Sequence, residues 1–282
     1  MEEARRVAGV SIVADTSHAG LVRAMEEHQA ELAMRWTRVQ SGQVIDDPDV
    51  LVTITGLPVA YTNGARRARL RPEDATRRVT EVAQLFSDRA IPALWWVGPL
   101  SEPEGLGAVL EEGGFTLQEH MPWLAVPIED AVRAPLPPDV EVHRVDGQER
   151  QLEWLEAMRV GFAMGPEEQG VMARLAEAVG CAEDAPWQRF VALQDDDVVA
   201  SAGVMFGGGV AGIYNMSTRP WARGRGIAAG MAGVALEAAR ARGYRIAVLG
   251  STPLAVPLYG RLGFRNVCKI AVYAFDGDAR AG

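Results

Sequence analysis

The sequence predicts an α/β chain of two lobes in tandem. Its 282 residues have room for two domains at roughly 150 residues each. A break at Ala134-Pro135-Leu136-Pro137-Pro138-Asp139 puts three prolines into four positions, which removes backbone donors and favours extended polyproline geometry. The strand and helix pattern after this break is present, blurred, before it. These features place one lobe over residues 1–130, a linker over 131–138 and a second lobe over 139–282.

With 48% hydrophobic and 23% charged residues, each lobe can bury a core of its own. A net charge of -9 gives no general attraction to a polyanion, so neither nucleic acid nor an anionic membrane surface is an expected partner. Apolar stretches such as Pro92 to Leu100 fall short of the roughly 20 residues that cross a bilayer, and the acidic start Met1-Glu2-Glu3 lacks a signal peptide's positive region. A cytoplasmic protein is expected. Cys181 and Cys268 lie far apart without CxxC spacing, which speaks for core or near-core thiols and against a disulfide framework or a thiolate zinc site. His18, His28, His120 and His143 are widely spaced and read as structural or surface residues, so no metal is expected.

After the break, Val140 to Val145 alternates as a short strand, and Glu149 to Phe162 carries apolar residues at helical spacing. Gly165-Pro166-Glu167-Glu168 starts a second helix, running to about Cys181. Three strands come next at Phe190–Leu193, Val198–Met205 and Val210–Met216, divided by Asp195-Asp196-Asp197 and Gly207-Gly208-Gly209. An alanine-rich helix over Ala228–Arg242, a buried strand over Tyr244–Leu249, a short helix over Leu254–Leu262 and a strand over Val267–Phe275 complete the order βααβββαβαβ.

The first half shows strands at Leu51–Ile54 and Pro58–Tyr61, an Asn63-Gly64 hairpin turn and a further strand at Ala65–Leu70. A helix over Pro72–Phe86 with proline at its first position and a strand at Leu94–Val97 come next. A short helix then leads to Gly114-Phe115 and an apolar strand through Val126, an order that suggests duplication.

The segment Thr218-Arg219-Pro220-Trp221-Ala222-Arg223-Gly224-Arg225-Gly226-Ile227-Ala228-Ala229 joins a strand to the start of the long helix. Glycines here let backbone N–H groups converge, and the helix end adds free donors and partial positive charge, which together make a cradle for phosphate. Arg223 and Arg225 add formal charge, and Arg219 and Arg261 are placed to reinforce the mouth. Gly224, Gly226 and Ala229 also fit the dinucleotide pattern G-x-G-x-x-A, but the following strand ends Val248-Leu249-Gly250-Ser251 without the carboxylate that would hold a ribose.

Arg223-x-x-Gly226-x-Ala228, preceded by Pro220, resembles the Q/R-x-x-G-x-G/A signature of the GCN5-related N-acetyltransferases, the GNAT superfamily. Ala255-x-x-Leu258-Tyr259-Gly260-x-Leu262-Gly263-Phe264 is similar to that family's second hallmark, and the likeness spans about Val140 to Phe275. The resemblance implies the acyl-CoA N-acyltransferase fold, a mixed central sheet flanked by helices, here as two GNAT-like lobes. It also implies acetyl-CoA as cosubstrate and a small-molecule or peptide amine as acceptor. Backbone groups of Met216, Ser217 and Thr218 would run beside the pantetheine arm, and Arg223, Gly224, Arg225, Gly226, Ile227, Ala228 and Ala229 would hold the pyrophosphate. Tyr259 takes the place of the family's general acid, a role a phenol of pKa near 10 can fill at neutral pH.

Thr252 replaces the asparagine common in the family, which leaves it as a weaker cofactor contact, and Ala247 and Val248 stand where some members place a glutamate base. Ordered water, or Glu167 or Glu168, is then left to take the amine's proton; those two acids are more readily read as a helix-start pair, since anionic groups favour a helix N-terminus. In the first half, Leu70-Arg71-Pro72-Glu73-Asp74 stands at the phosphate loop and Leu110 at the position of Tyr259, so that lobe is expected to be a degenerate, non-catalytic support. Trp95 and Trp96 sit in a strand, with core packing expected for at least one. The expected function is N-acetyl transfer, with a non-enzymatic acyl-CoA sensor as the alternative.

Overall fold

The computed structural model describes residues 6–7, 10–39 and 42–277, so the acidic start at Met1–Glu3 lies outside the described residues. In chain order the elements are β1 (Arg6–Val7), β2 (Val10–Ser11), α1 (His18–Trp36), β3 (Gln43–Asp46), β4 (Leu51–Ile54), β5 (Gly64–Arg66), α2 (Ala75–Ser87), β6 (Ala93–Val97), α3 (Leu106–Glu112), β7 (Thr116–Pro127), β8 (Glu141–Arg144), α4 (Gln148–Gly161), α5 (Pro166–Val179), β9 (Trp187–Gln194), β10 (Asp197–Gly207), β11 (Val210–Thr218), α6 (Ile227–Ala241), β12 (Ile246–Gly250), α7 (Val256–Arg261) and β13 (Arg265–Phe275). Short 3-10 turns cover Ala60–Thr62 and Pro220–Ala222. From β8 onward the order is the expected βααβββαβαβ. No described helix is long and apolar enough to cross a membrane.

The elements form two compact units, neither continuous in sequence. Of the described residues, the larger holds those up to His28 together with Trp123–Val267; the smaller holds those of Gln29–Pro122 and from Cys268 to Gly277. In the larger unit β8, β9, β10 and β11 pair antiparallel in succession, β11 runs parallel to β12, and β12 pairs antiparallel with the end of β7, Ile246 opposite Pro127 and Gly250 opposite Trp123. In the smaller unit β3, β4 and β5 pair antiparallel, β5 runs parallel to β6, and β6 pairs antiparallel with β13, Val97 opposite Ala271 and Ala93 opposite Phe275. Both sets of strands, parts of one 11-stranded sheet, are therefore mixed and share one pairing pattern. In each, the strand that closes the pattern is supplied from the other half of the chain.

Strand alternation sorts the larger unit's side chains into two faces. On β10, Ala202, Val204 and Phe206 join the cluster that α6 covers with Ile227, Met231, Ala235 and Leu236. On the opposite face, Ser201 meets Ser217, whose hydroxyl donates to the Ala157 carbonyl of α4 at 3.0 Å. The first turns of α1, a stretch without an expected element, enter this unit through His28. Its ring is buried, with Nδ1 2.9 Å from the Gly207 carbonyl and the plane stacked on Tyr214 at 5.8 Å. Trp95 is fully buried in the smaller unit, edge-on to Phe115 at 5.6 Å, and Cys181 and Cys268 are free and half-buried.

Several local expectations in the first half change. Pro58–Tyr61 is not a strand, because the chain turns at Ala60–Thr62. Asn63-Gly64 is not a hairpin turn: Asn63 is buried, accepts from the Thr55 amide at 2.8 Å, and donates to Leu57 and Pro92 carbonyls at 2.9 and 3.0 Å. Long-range hydrogen bonds have claimed the side chain that a turn would have left in water. The strand expected to reach Leu70 stops at Arg66. Beyond it Leu70 donates to the Glu102 carbonyl at 3.1 Å and Glu102 to the Ala68 carbonyl at 3.0 Å, so the chain itself fills the space after the short β5–β6 pairing. The helix expected from Pro72 starts at Ala75, since Asp74 is held back by Arg71 through two bonds of 2.9 and 2.8 Å.

The proline-rich segment, expected as a linker, lies along α6 within the larger unit. Arg133 pairs with Glu237 at 3.2 Å near the helix end, and Leu136 packs so closely on Gly230 that a Cβ there would stand 2.6 Å from its side chain. At the other end Asp139 meets Arg225 at 2.7 Å.

Phe275 sits near the chain's end yet packs 5.1 Å from Phe115 and 6.4 Å from Phe86 inside the smaller unit. Phe275→Ala should cost about 3–5 kcal/mol. Hydrogen exchange should report it as lost protection in β6 and α2; loss confined to the last strand would contradict the strand's place in that core.

Candidate active site

The site begins where two parallel strands part. Residues of β11 pair with β12 at only two positions, Ala211 with Ala247 and Gly212 with Val248. Beyond them β11 stays with β10, Thr218 opposite Ala200, while β12 stays with β7. The cause is a bulge: the β10–β11 register shifts between Ser201 and Gly203, and Asn215 takes a left-handed φ of 55°. Asparagine tolerates that conformation better than other side chains, and the extra residue bends the strand. The main chain of Met216, Ser217 and Thr218 is thereby left, among the described residues, without a strand partner on the β12 side.

The side chain of Ser217 turns away from this opening, buried 2.7 Å from the Ser201 hydroxyl, so the residue offers main chain alone. Thr218 ends β11, and its carbonyl accepts from Arg223 Nε at 3.1 Å. Arg223 Nη2 also donates to the Gly161 carbonyl at 3.3 Å, and Arg219 Nη2 lies 3.3 Å from Glu156. The loop is thus tied to the last turns of α4. The hydrogen bond from Arg159, with a smaller contribution from the charge of Arg219, holds the Glu156 carboxyl below its ordinary range.

Gly224 and Gly226 have φ of 77° and 83°, with open space where a Cβ would stand. Backbone conformation rather than crowding therefore selects glycine. Gly226 caps α6, and the Ile227, Ala228 and Ala229 amides are among the first-turn donors that a helix cannot satisfy internally. The guanidinium of Arg225 is engaged elsewhere: Nη1 donates to Gln194 at 2.6 Å and Nη2 to Asp139 at 2.7 Å.

Tyr259 lies on α7, a six-residue helix with proline near its start, and its ring packs edge-on to Phe264 at 5.7 Å. Only 7% of it is exposed, and burial pushes its pKa up to about 12. It shares a core cluster with Ile213, Ala222 and Ile227, which gather the bulged strand, the loop and α7 into one body. Thr252 is exposed, and its carbonyl accepts from the Ala255 amide at 3.0 Å at the entry to α7. Glu168 closes a capping box on the Gly165 amide at 3.1 Å, which commits it to the start of α5; Glu167 is exposed beside it. Among the described residues no group of three or more His, Cys, Asp or Glu could hold a metal ion.

Residues 150–264, all within the larger unit, match the family model "Acetyltransferase (GNAT) family". That segment belongs to the GNAT family. The fold likeness of the chain to solved GNAT structures reaches further. A GCN5-related N-acetyltransferase from Kribbella flavida is 18% identical, with 90% of this chain and 97% of that chain covered at a TM-score of 0.69. A second, from Sphaerobacter thermophilus, is 16% identical over 90% of each chain at 0.60. A tandem GNAT protein from the clavulanic acid biosynthesis pathway is 12% identical over 93% of this chain and 96% of its own at 0.61. No curated protein sequence matches the chain. These likenesses cover the smaller unit as well, so a tandem arrangement of the GNAT fold is shared.

Asn215, Asp139 and Gln194 stand outside the sequence expectations. A lone asparagine inside an apolar strand was the one available signal for the bulge; the other two meet Arg225 only through the fold.

Burial keeps Tyr259 and Cys268 neutral, with pKa values raised from 10.0 to about 12 and from 9.0 to about 11. Both folded values exceed the unfolded ones, so their stabilisation is intact below pH 9 and is lost as pH rises through about 11 and 12. Tyr259→Phe should therefore lose less stability than the parent protein between pH 10 and 12, as read from urea midpoints. Parallel losses would mean the phenol is not buried.

Proposed function

We propose that the chain is a cytoplasmic N-acetyltransferase that moves an acetyl group from acetyl-CoA to a primary amine of a small molecule or peptide. The observation that carries this reading is the opening between β11 and β12, which leads from main chain at 216–218 that lacks a strand partner on the β12 side to the glycine loop and first turn of α6. An extended amide-bearing arm ending in a diphosphate has the shape and hydrogen-bonding groups to complete both. In this reading the main chain of Met216, Ser217 and Thr218 lines the arm. Amides from Arg223 to Ala229 surround the diphosphate, and Thr252 is a peripheral contact.

The reaction joins the amine nitrogen to the acyl carbon and breaks the carbon–sulfur bond. Tyr259 supplies the proton that the departing sulfur takes, and the proton shed by the amine leaves through water or Glu167. A phenol with a pKa near 12 stays protonated at every working pH, but it is a weak acid. One second reading is an acyl-CoA sensor that binds without turnover, favoured by Ala247 and Val248 where a glutamate base would stand and by Thr252 in place of an asparagine.

The smaller unit is read as a non-catalytic support. Its β5–β6 gap is closed by the bonds between Ala68, Leu70 and Glu102, its helix start carries Glu73 and Asp74, and buried Leu110 replaces a proton donor.

Thiol release from acetyl-CoA across a panel of amines tests the proposal. Tyr259→Phe should lower kcat about a hundredfold or more while coenzyme A still binds in calorimetry. Saturable binding with no turnover for any amine supports the sensor; no binding at all overturns both readings.

A further inference from the structure

Both terminal nitrogens of the arginine at the centre of the glycine loop donate to partners outside it. Asp139 Oδ2 accepts from Arg225 Nη2 at 2.7 Å and from Gln194 Nε2 at 2.9 Å, and Gln194 Oε1 accepts from Arg225 Nη1 at 2.6 Å. The three side chains close a triangle. Asp139 is delivered there by the proline-rich segment, which the Leu136–Gly230 contact and the Arg133–Glu237 pair fix along α6. Gln194 is the last residue of β9. Both partners come from elements with fixed places in the larger unit, and together they set a carboxylate beside the residue between the two cradle glycines. A full negative charge there offsets the cation that would otherwise strengthen the hold on an anion.

We propose that Asp139 and Gln194 are positioning residues that keep Arg225 as a neutral pair at the mouth of the cradle and so weaken its grip on a diphosphate-bearing acyl carrier. This rests on the acyl-CoA reading above. The spent carrier retains the same diphosphate as the acylated one, so a moderated grip speeds its release, a step that often limits turnover. The local charge can be set one step at a time: Asp139→Asn makes it net positive, Arg225→Gln net negative, and the double variant neutral again.

Calorimetry on the full chain with coenzyme A at low salt should give the order Asp139→Asn tightest, parent protein and double variant together, Arg225→Gln weakest. Each step should be roughly three- to fivefold, shrinking at about 0.5 M salt. Stopped-flow release of coenzyme A should slow in Asp139→Asn. Pantetheine, which lacks the phosphates, should not distinguish the four proteins, whereas damage to the fold would weaken it too. Weaker coenzyme A binding by Asp139→Asn would overturn the proposal by showing that the acid presents Arg225 to the ligand. A double variant as weak as Arg225→Gln would overturn it by making the guanidinium itself the ligand. If the parent protein ignores coenzyme A, the functional reading fails first; if it binds and the order is absent, only this inference falls.

Discussion

The constraint on which the larger unit turns is the brevity of one parallel pairing. Two residues of β11 meet β12, and then the bulge at Asn215 carries β11 away. Backbone amides and carbonyls are obligatory hydrogen-bonding groups, so a strand edge left open in this way needs water or a ligand. The smaller unit has the same short parallel pairing between β5 and β6, but there the polypeptide closes the space beyond the pair with its own bonds. One sheet pattern thus yields an open edge in one unit and a sealed one in the other. The difference lies in the bulge that carries β11 away and in where the polypeptide goes after β5.

Around the open edge the structure gathers groups of opposite character. Main-chain donors at the start of α6 favour an anion. The loop arginines that would add to that attraction are largely committed: Arg219 to Glu156, Arg223 to two carbonyls, Arg225 to Asp139 and Gln194. The loop's charge therefore goes mainly into holding its own shape. Tyr259 obeys the same logic, since the packing that fixes its ring against Phe264 also withdraws it from water and raises its pKa.

Much of this was legible in the sequence where local pattern decides structure. The βααβββαβαβ order, the glycine loop and the helix at Glu167–Glu168 come from periodicity, capping and punctuation, all of which act over a few residues. Asn63-Gly64 misled because its local preference for a turn lost to partners as distant as Pro92. The proline-rich segment reads as a linker by composition, yet Leu136 against Gly230 and the ion pairs of Arg133 and Asp139 seat it on a helix. The destination of β7 and β13 is illegible in principle: each comes after a short helix and a glycine–phenylalanine pair, and nothing local says whose sheet it will join.

That crossing of closing strands bears on how such a chain can change over time. One of two tandem halves with separate sheets could be deleted without harm to the other. Here Trp123–Pro127 flanks β12 in the unit that bears the glycine loop, while Ala271–Phe275 flanks β6 in the other. Each half is a structural creditor of its neighbour, so deleting either would open an edge in the strands of the other, and the two are bound to be inherited together.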